Sequence, residues 1–394
     1  MTVLVPGNRI TLLTNGSEYF PALEAAIDSA DREIYLESYI FAADATGDRI
    51  ARSLIRAVRR GVATHLLLDG FGSQSMPSSW VADLERDGAS VLFFRREISP
   101  WTFQRSRLRR LHRKLAVIDG RIAFVGGINI IDDMDTPGQI PPRYDYAVAV
   151  EGPVVSDVLR ATRRLWNLVA WYQWRRRSRW HRGESHAAPL QGGVAAALLT
   201  RDNIRHRRDI EEAYLQAIGQ ARREIFIANA YFLPGLDFRH ALIDAARRGV
   251  RVVLLLQGRV EYRLLHYASR ALYGVLLDAG VEIHEYHRSF LHAKVAVIDG
   301  RWATVGSSNI DPFSLMLARE ANVVVDDQGF ARQLRDSLEN AKQIGSTLLL
   351  AESWKLKSPW SRVLSWAAYG VVRFLMGVSG YGRRYRWSEA AVKR

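Results

Sequence analysis

The chain is written twice. Residues 30–41 (ADREIYLESYIF) return as 221–232 (ARREIFIANAYF), 52–70 (RSLIRAVRRGVATHLLLDG) as 240–258 (HALIDAARRGVRVVLLLQG), and 112–130 (HRKLAVIDGRIAFVGGINI) as 292–310 (HAKVAVIDGRWATVGSSNI). The offsets of 191, 188 and 180 residues keep one order and drift by small indels. Stacked repeats have periods of roughly 20–50 residues, so a period this long describes a duplicated domain.

Each copy has the same grammar. A β-rich apolar run (Ile34–Phe41; Ile225–Phe232) precedes a helical pattern with Ala, Leu and Ile three to four apart (Ile50–Arg60; Ala241–Arg248). Gly61 and Gly249 stand where a left-handed C-cap ends such a helix, and a nearly continuous apolar strand follows (Ala63–Leu68; Val250–Leu256). Strand, helix and buried strand make a βαβ unit, so the sheet is expected to be largely parallel with helices on its faces. The fold class is α/β: two duplicated domains packed face to face. Residues 1–184 form the first domain, 185–345 the second and 346–394 a basic tail, with the boundary in Ser185–Thr200.

The chemistry lies in a doubled His-x-Lys-x4-Asp-Gly pattern, His112, Lys114 and Asp119, then His292, Lys294 and Asp299. Small residues and an amide follow each time: Gly126, Gly127 and Asn129, then Gly306, Ser307, Ser308 and Asn309. Strand alternation puts His and Lys of one motif on the same face. An imidazole beside an ammonium and a side-chain amide suits phosphate. The cation and amide neutralise and orient its oxygens, and the imidazole attacks or moves a proton. Two copies give two histidines, one on each side of the phosphorus, and so an in-line displacement through a phosphohistidine. Asp119 and Asp299 complete the catalytic motifs but read as ties between motif strand and turn. Glu37 and Asn229 are read as equivalent polar positions on the repeated first strand, near the site.

Charge and composition narrow the partner. Lys and Arg outnumber Asp and Glu by 55 to 41, a net of +14, and the partner is therefore expected to be anionic, nucleic acid or membrane surface. Only six of those cations are Lys, which makes the recurrence of Lys114 and Lys294 in one context informative. The chain has no Cys, so thiolate catalysis, disulfides and sulfur-ligated zinc are excluded. No run of 18 apolar residues predicts a spanning helix, and the opening MTVLVPGNRITLL is not expected to be a secretory signal.

These motifs resemble the phospholipase D superfamily, over roughly residues 8–340, and the resemblance implies two phospholipase D-like domains with one active site at their interface. LESYIF, YDYAVAVEGP, IANAYFLPG, HAKVAVIDGRWATVGSSNIDPFSL and REANVVV resemble its bacterial cardiolipin synthases of the B type, which lack N-terminal spanning helices. The resemblance implies transfer of a phosphatidyl group from phosphatidylglycerol to a second phosphatidylglycerol or another alcohol, with no metal and no other cofactor. It implies His112 as nucleophile and His292 as general acid and base. Lys114, Lys294, Asn129 and Asn309 then bind phosphoryl oxygens, Ser307 adds a donor, and Asp145 and Glu320 orient the histidines. It also implies anionic phospholipids (phosphatidylglycerol and cardiolipin) as partners, no nucleic acid, and a peripheral place on the cytoplasmic face of the bacterial inner membrane. A hydrolytic phospholipase D and a nuclease of the superfamily are the competing readings.

Three segments fit attachment to a bilayer. Residues 158–182 hold eight Arg and no acid, with Trp166, Trp171, Trp174 and Trp180 interleaved. Residues 354–394 hold nine Lys and Arg against one Glu. There Trp360, Val363, Leu364, Ala367, Val371 and Phe374 recur at helical spacing, opposite Arg362, Trp366, Tyr369 and Arg373, as in a helix lying among headgroups. Ile98–Arg113 leads into the first motif and is placed to steer anionic lipid.

Overall fold

The structure is a computed structural model, described here for residues 2–95, 109–136, 138–173, 188–202, 206–259, 263–311, 318–355 and 359–378. The Arg/Trp run beyond Gln173, most of Ile98–Arg113 and the tail beyond Val378 lie outside the described residues.

The first half runs β1 (Val5–Thr14), α1 (Asn15–Asp28), β2 (Glu33–Ser38), α2 (Ala45–Arg59), β3 (Ala63–Asp69), α3 (Ser78–Asp87), β4 (Ser90–Phe94), β5 (Arg110–Leu111), β6 (Lys114–Ile118), β7 (Ile122–Gly126), β8 (Tyr146–Glu151) and α4 (Val154–Tyr172). The second repeats it as β9 (Val194–Arg201), α5 (Asp209–Gln220), β10 (Glu224–Asn229), α6 (Leu236–Arg247), β11 (Arg251–Gln257), α7 (Arg263–Asp278), β12 (Glu282–Tyr286), β13 (Lys294–Ile298), β14 (Trp302–Gly306), β15 (Ala318–Asp326) and α8 (Gln328–Gly345). Then come β16 (Ser346–Leu348), α9 (Ala351–Lys355) and α10 (Pro359–Val378). The glycines end their helices as expected, Gly61 and Gly249 having φ of +89° and +85°, while α2 begins earlier than the pattern from Ile50, where Asp44 caps it by accepting from the Gly47 amide at 2.8 Å.

The sheet is mixed, which corrects the largely parallel expectation. The βαβ pieces are parallel, β2 to β3 to β4 and β10 to β11 to β12. The motif strands are hairpins: β6 pairs antiparallel with β2 and β7, and β13 with β10 and β14. The Asp-Gly after each motif strand turns the chain straight back, with Asp119 and Asp299 at φ of +54° and +53°. A crossover helix never has room to form.

The two half-sheets join edge to edge, because β1 pairs with β8 of its own half and β9 of the other. They also pack face to face. One apolar cluster unites Leu12, Val125 and Val148 with Val305, Val323 and Val325, and includes α4 and α8. Helices α1 to α3 cover the outer face of the first half-sheet, and α5 to α7 that of the second. The tail assigned from residue 346 does not stand apart: β16 extends the sheet beside β12, Trp354 packs on Tyr273, and α10 lies on α7.

Candidate active site

The residue before each motif strand crosses to the other half. β5 pairs in parallel with the start of β15, and the His112 amide donates to the Arg319 carbonyl at 3.0 Å. By the same geometry Leu291 bridges Tyr144, and the His292 amide donates to the Tyr144 carbonyl at 2.8 Å. The residue after each of those carbonyls is an acid. His112 Nδ1 therefore lies 3.0 and 3.1 Å from the two carboxylate oxygens of Glu320, and His292 Nδ1 lies 2.6 Å from Asp145 Oδ2. Each half supplies the histidine that the other half's acid holds. Linear spacing showed the acids and hid this exchange.

A carboxylate on Nδ1 fixes the tautomer, leaving Nε2 as the nitrogen that meets a ligand. Both rings line one cavity of about 460 Å³, together with Asn129, Asn309 and Asp145. Burial is the largest influence on both imidazoles. It depresses His112 despite Glu320, and with the Lys294 ammonium it pulls His292 down to about 3. Burial thus favours the neutral form of both rings. Burial alone would raise the Asp145 carboxyl, but Lys294 and His292 outweigh it and hold it below the ordinary range.

The lysines lie beneath the rings. Lys114 Nζ donates to the His112 carbonyl at 2.8 Å and lies 5.4 Å from the Tyr39 ring centre. Lys294 Nζ donates to the His292 carbonyl and lies 3.8 Å from Asp145 Oδ2. Burial, with a contribution from Lys294, lowers the Lys114 ammonium to about 7. Asn129 Oδ1 accepts from the Ile40 amide at 3.1 Å, leaving the NH₂ as its donor.

Two expectations change, those for Ser307 and for the pair Glu37 and Asn229, and a third is narrowed to its structural half. Asp119 and Asp299 lie at the far ends of the motif strands, away from the histidines. Asp119 accepts from the amides of Asp31, Arg32 and Glu33, and Asp299 from those of Arg222, Arg223 and Glu224. They pin each hairpin to the strand beside it and leave the catalytic set. Ser307 is committed to Glu320: its Oγ donates to Oε2 at 2.5 Å and accepts from the Ala321 amide. Glu37 and Asn229 are not equivalent, for Glu37 pairs with Leu115 and Asn229 with Lys294, one residue out of step. Glu37 lies on the opposite face of its strand, in a buried ion pair with Arg113 at 2.7 Å.

The sequence reading missed the aromatic and cationic walls. Tyr39 packs edge-on to His112 with centroids 4.9 Å apart, Phe290 lies over His292, and Arg110 and Arg143 line the cavity. Their signal was the residues flanking the motifs, where the two copies differ. Among the described residues no group of His, Asp or Glu could hold a metal ion.

Two α/β halves that exchange histidines over one phosphate-sized site define the duplicated phospholipase D-like class. The fold is similar to that of phosphatidylserine synthase of Haemophilus influenzae Rd KW20, with TM-score 0.69 and 13% identity over 94% of this chain and 93% of that one. Polyphosphate kinase of Porphyromonas gingivalis follows at TM-score 0.57 and 14% identity, over 94% of this chain and 53% of that one. The family described as "Cardiolipin synthase, PLD-like domain" matches residues 23–153 and 214–342. Cardiolipin synthase B of Escherichia coli K12 is 40% identical over 381 residues, 95% of this chain and 90% of that protein. Cardiolipin synthase of Geobacillus kaustophilus is 33% identical over 84% of this chain and 66% of that one. The chain belongs to the cardiolipin synthase family, and is a phosphatidyltransferase that works on phospholipids. Among the described residues no helix is long and apolar enough to cross a membrane.

Proposed function

We propose that the protein joins two phosphatidylglycerols into cardiolipin and releases glycerol, through a phosphatidyl group carried on His112. His112 Nε2 attacks the donor phosphorus while His292 gives a proton to the departing glycerol oxygen. Burial and the lysine field favour the neutral ring of His292, and a bound anionic diester, by offsetting that field, raises it towards a protonated state. The same nitrogen then takes the proton of the incoming hydroxyl. Lys114, Lys294, Asn129 and Asn309 balance the equatorial oxygens. The observation that carries this reading is the exchange of acids: both imidazoles are held at Nδ1 by the opposite half while lining a single cavity.

Purified protein given phosphatidylglycerol vesicles is expected to make cardiolipin and glycerol. Phosphatidic acid alone would make it a hydrolase, and cleavage of DNA without lipid turnover a nuclease. His112→Ala and His292→Ala are each expected to lose at least about 10³-fold in turnover. Peptide mapping of enzyme quenched in alkaline denaturant, where a phosphorus–imidazole bond survives, should find the adduct on His112. An adduct on His292 would reverse the roles.

We propose further that α10 holds the enzyme to an anionic leaflet, on the cytoplasmic face of the bacterial inner membrane. Its inner seam, Ser365, Ala368 and Val372, is buried, with Ala368 and Val372 packed against Leu233, Ala268 and Leu272. Around the seam Trp360 is 81% and Phe374 69% exposed, and Val363, Leu364, Ala367 and Val371 are open, as their spacing predicted. Trp366, expected on the opposite face, is open as well. Leu265, packed against this seam, also lines the catalytic cavity, which sets the cavity beside the lipid-facing helix. Trp360→Ala with Phe374→Ala should weaken flotation with phosphatidylglycerol vesicles; unchanged flotation would refute the attachment.

A further inference from the structure

The reaction above puts two lipid phosphates in the cavity at once: the one that reacts, and the one the acceptor phosphatidylglycerol already carries. The motif lysines and amides account for the first. The cavity also holds two guanidiniums that this scheme leaves unused, Arg110 and Arg143. The duplication relates their places but supplies them from opposite strands. Arg110 is paired with Ala318 at the His112 end, and the Tyr144–Leu291 bridge sets Arg143 against Phe290 at the His292 end. The copies thus swap which strand gives the cation, and only the His292 end gains an aromatic ring in the exchange.

At that end the groups form a stack. Phe290 lies over His292 with centroids 6.0 Å apart at 27°, and the Arg143 guanidinium lies 4.9 Å from the Phe290 ring centre. Its Nε is buried with no hydrogen-bond partner, and among the described residues no carboxylate lies within ion-pair distance of it. Asp133, on the same wall, feels the Arg143 charge without pairing with it, and its Oδ2 is held by the Gly16 amide at 2.9 Å. A guanidinium steadied by a ring, with donors unspent, is a ready fork for a phosphodiester.

In-line geometry says which phosphate. The acceptor hydroxyl must approach opposite the P–N bond to His112, on the His292 side, so the rest of the acceptor extends past His292. We propose that Arg143 binds the acceptor lipid's own phosphodiester and so selects a phosphatidylglycerol over water or an uncharged alcohol. This rests on the assignment of His292 as acid and base. In the step itself the acceptor hydroxyl proton passes to His292 Nε2, its oxygen bonds to phosphorus, and the bond from phosphorus to His112 Nε2 breaks.

The test lets acceptors compete for one phosphatidyl-enzyme. With phosphatidylglycerol vesicles in buffer containing ethanol, the ratio of cardiolipin to phosphatidylethanol plus phosphatidic acid reads the acceptor step alone, whatever fraction of a variant is folded. Arg143→Ala should lower that ratio by about tenfold or more, the loss of one charge-assisted contact. Arg143→Lys should fall between, keeping the charge but not the fork. Arg110→Ala should leave the ratio within about twofold of wild type on the same scale. An unchanged ratio in Arg143→Ala, or a fall confined to Arg110→Ala, overturns the proposal. A wild-type enzyme that makes no cardiolipin overturns the function beneath it instead.

Discussion

His112 is held by a glutamate that a serine supports, and His292 by an aspartate that faces a glycine. The pairings follow from side-chain length. Glu320 reaches His112 with both oxygens and leaves room for the Ser307 hydroxyl on Oε2. Asp145 is one methylene shorter and must come closer, and a Cβ on Gly127 would stand 2.4 Å from Asp145 Oδ1. Acid and neighbour are thus chosen together: a duplicated fold preserves the backbone ladder that delivers the histidine, while the contacts around it drift as a set. If the two acids do one job, Asp145→Asn and Glu320→Gln should each lower turnover by about 10²–10⁴-fold, because an amide no longer fixes the imidazole tautomer. Initial rates of cardiolipin formation check this. A loss confined to one variant would break the equivalence of the halves.

Behind the motif strands the halves differ more. Glu37 and Arg113 form a buried ion pair in the first, and the corresponding residues of the second are Ala228 and Ala293. Both fill the inner face, so the pair is replaceable filling rather than chemistry. Removing one partner strands a buried charge. Glu37→Ala or Arg113→Ala should therefore cost about 3–5 kcal/mol of stability. The double variant, which copies the second half, should cost no more than the worse single one. Denaturant midpoints and slopes decide it, and additive losses would mean that the pair has no coupling.

Smaller effects should follow from exchanging the neighbours of the acids. Gly127→Ser crowds Asp145 and should cost more turnover than Ser307→Gly, which removes one supporting hydrogen bond and should lower it about tenfold. The reverse order would show that Ser307, not the space at Gly127, is the tighter constraint.

Much of this was legible beforehand because periodicity and repetition are local. The duplicated blocks gave both helices with their left-handed glycines, both buried strands and both His-x-Lys sets. The parallel expectation failed at the motif hairpins because it was drawn from the βαβ blocks alone, while the Asp-Gly that ends β6 and β13 is a hairpin signal of its own. The crossed pairing of His112 with Glu320 was hidden because it depends on strands 208 residues apart in the chain. Arg143 and Phe290 were hidden for another reason. Outside the repeated blocks an arginine or a phenylalanine is indistinguishable from any other, until the Tyr144–Leu291 bridge sets them side by side.

The lysines give the finest test of the comparison. Lys294 has Asp145 Oδ2 at 3.8 Å, whereas Lys114 faces the His112 carbonyl and the Tyr39 ring, and burial leaves it near 7 against an ordinary 10.5. Two consequences have opposite signs. An anionic donor binds the ammonium form, so kcat/KM should be full below pH 7 and fall as pH rises through it. The limb should be absent from kcat, because the bound phosphate restores the charge. Folding, by contrast, strips a proton that the unfolded chain keeps up to about pH 10. The Lys114 contribution to stability therefore increases with pH between 7 and 10, where the unfolded state binds more protons. Rates and denaturation midpoints at pH 6.5, 7.5 and 8.5 would read both. A kcat/KM that is flat over this range would mean that Lys114 stays charged in the free enzyme, as a nearby carboxylate would hold it.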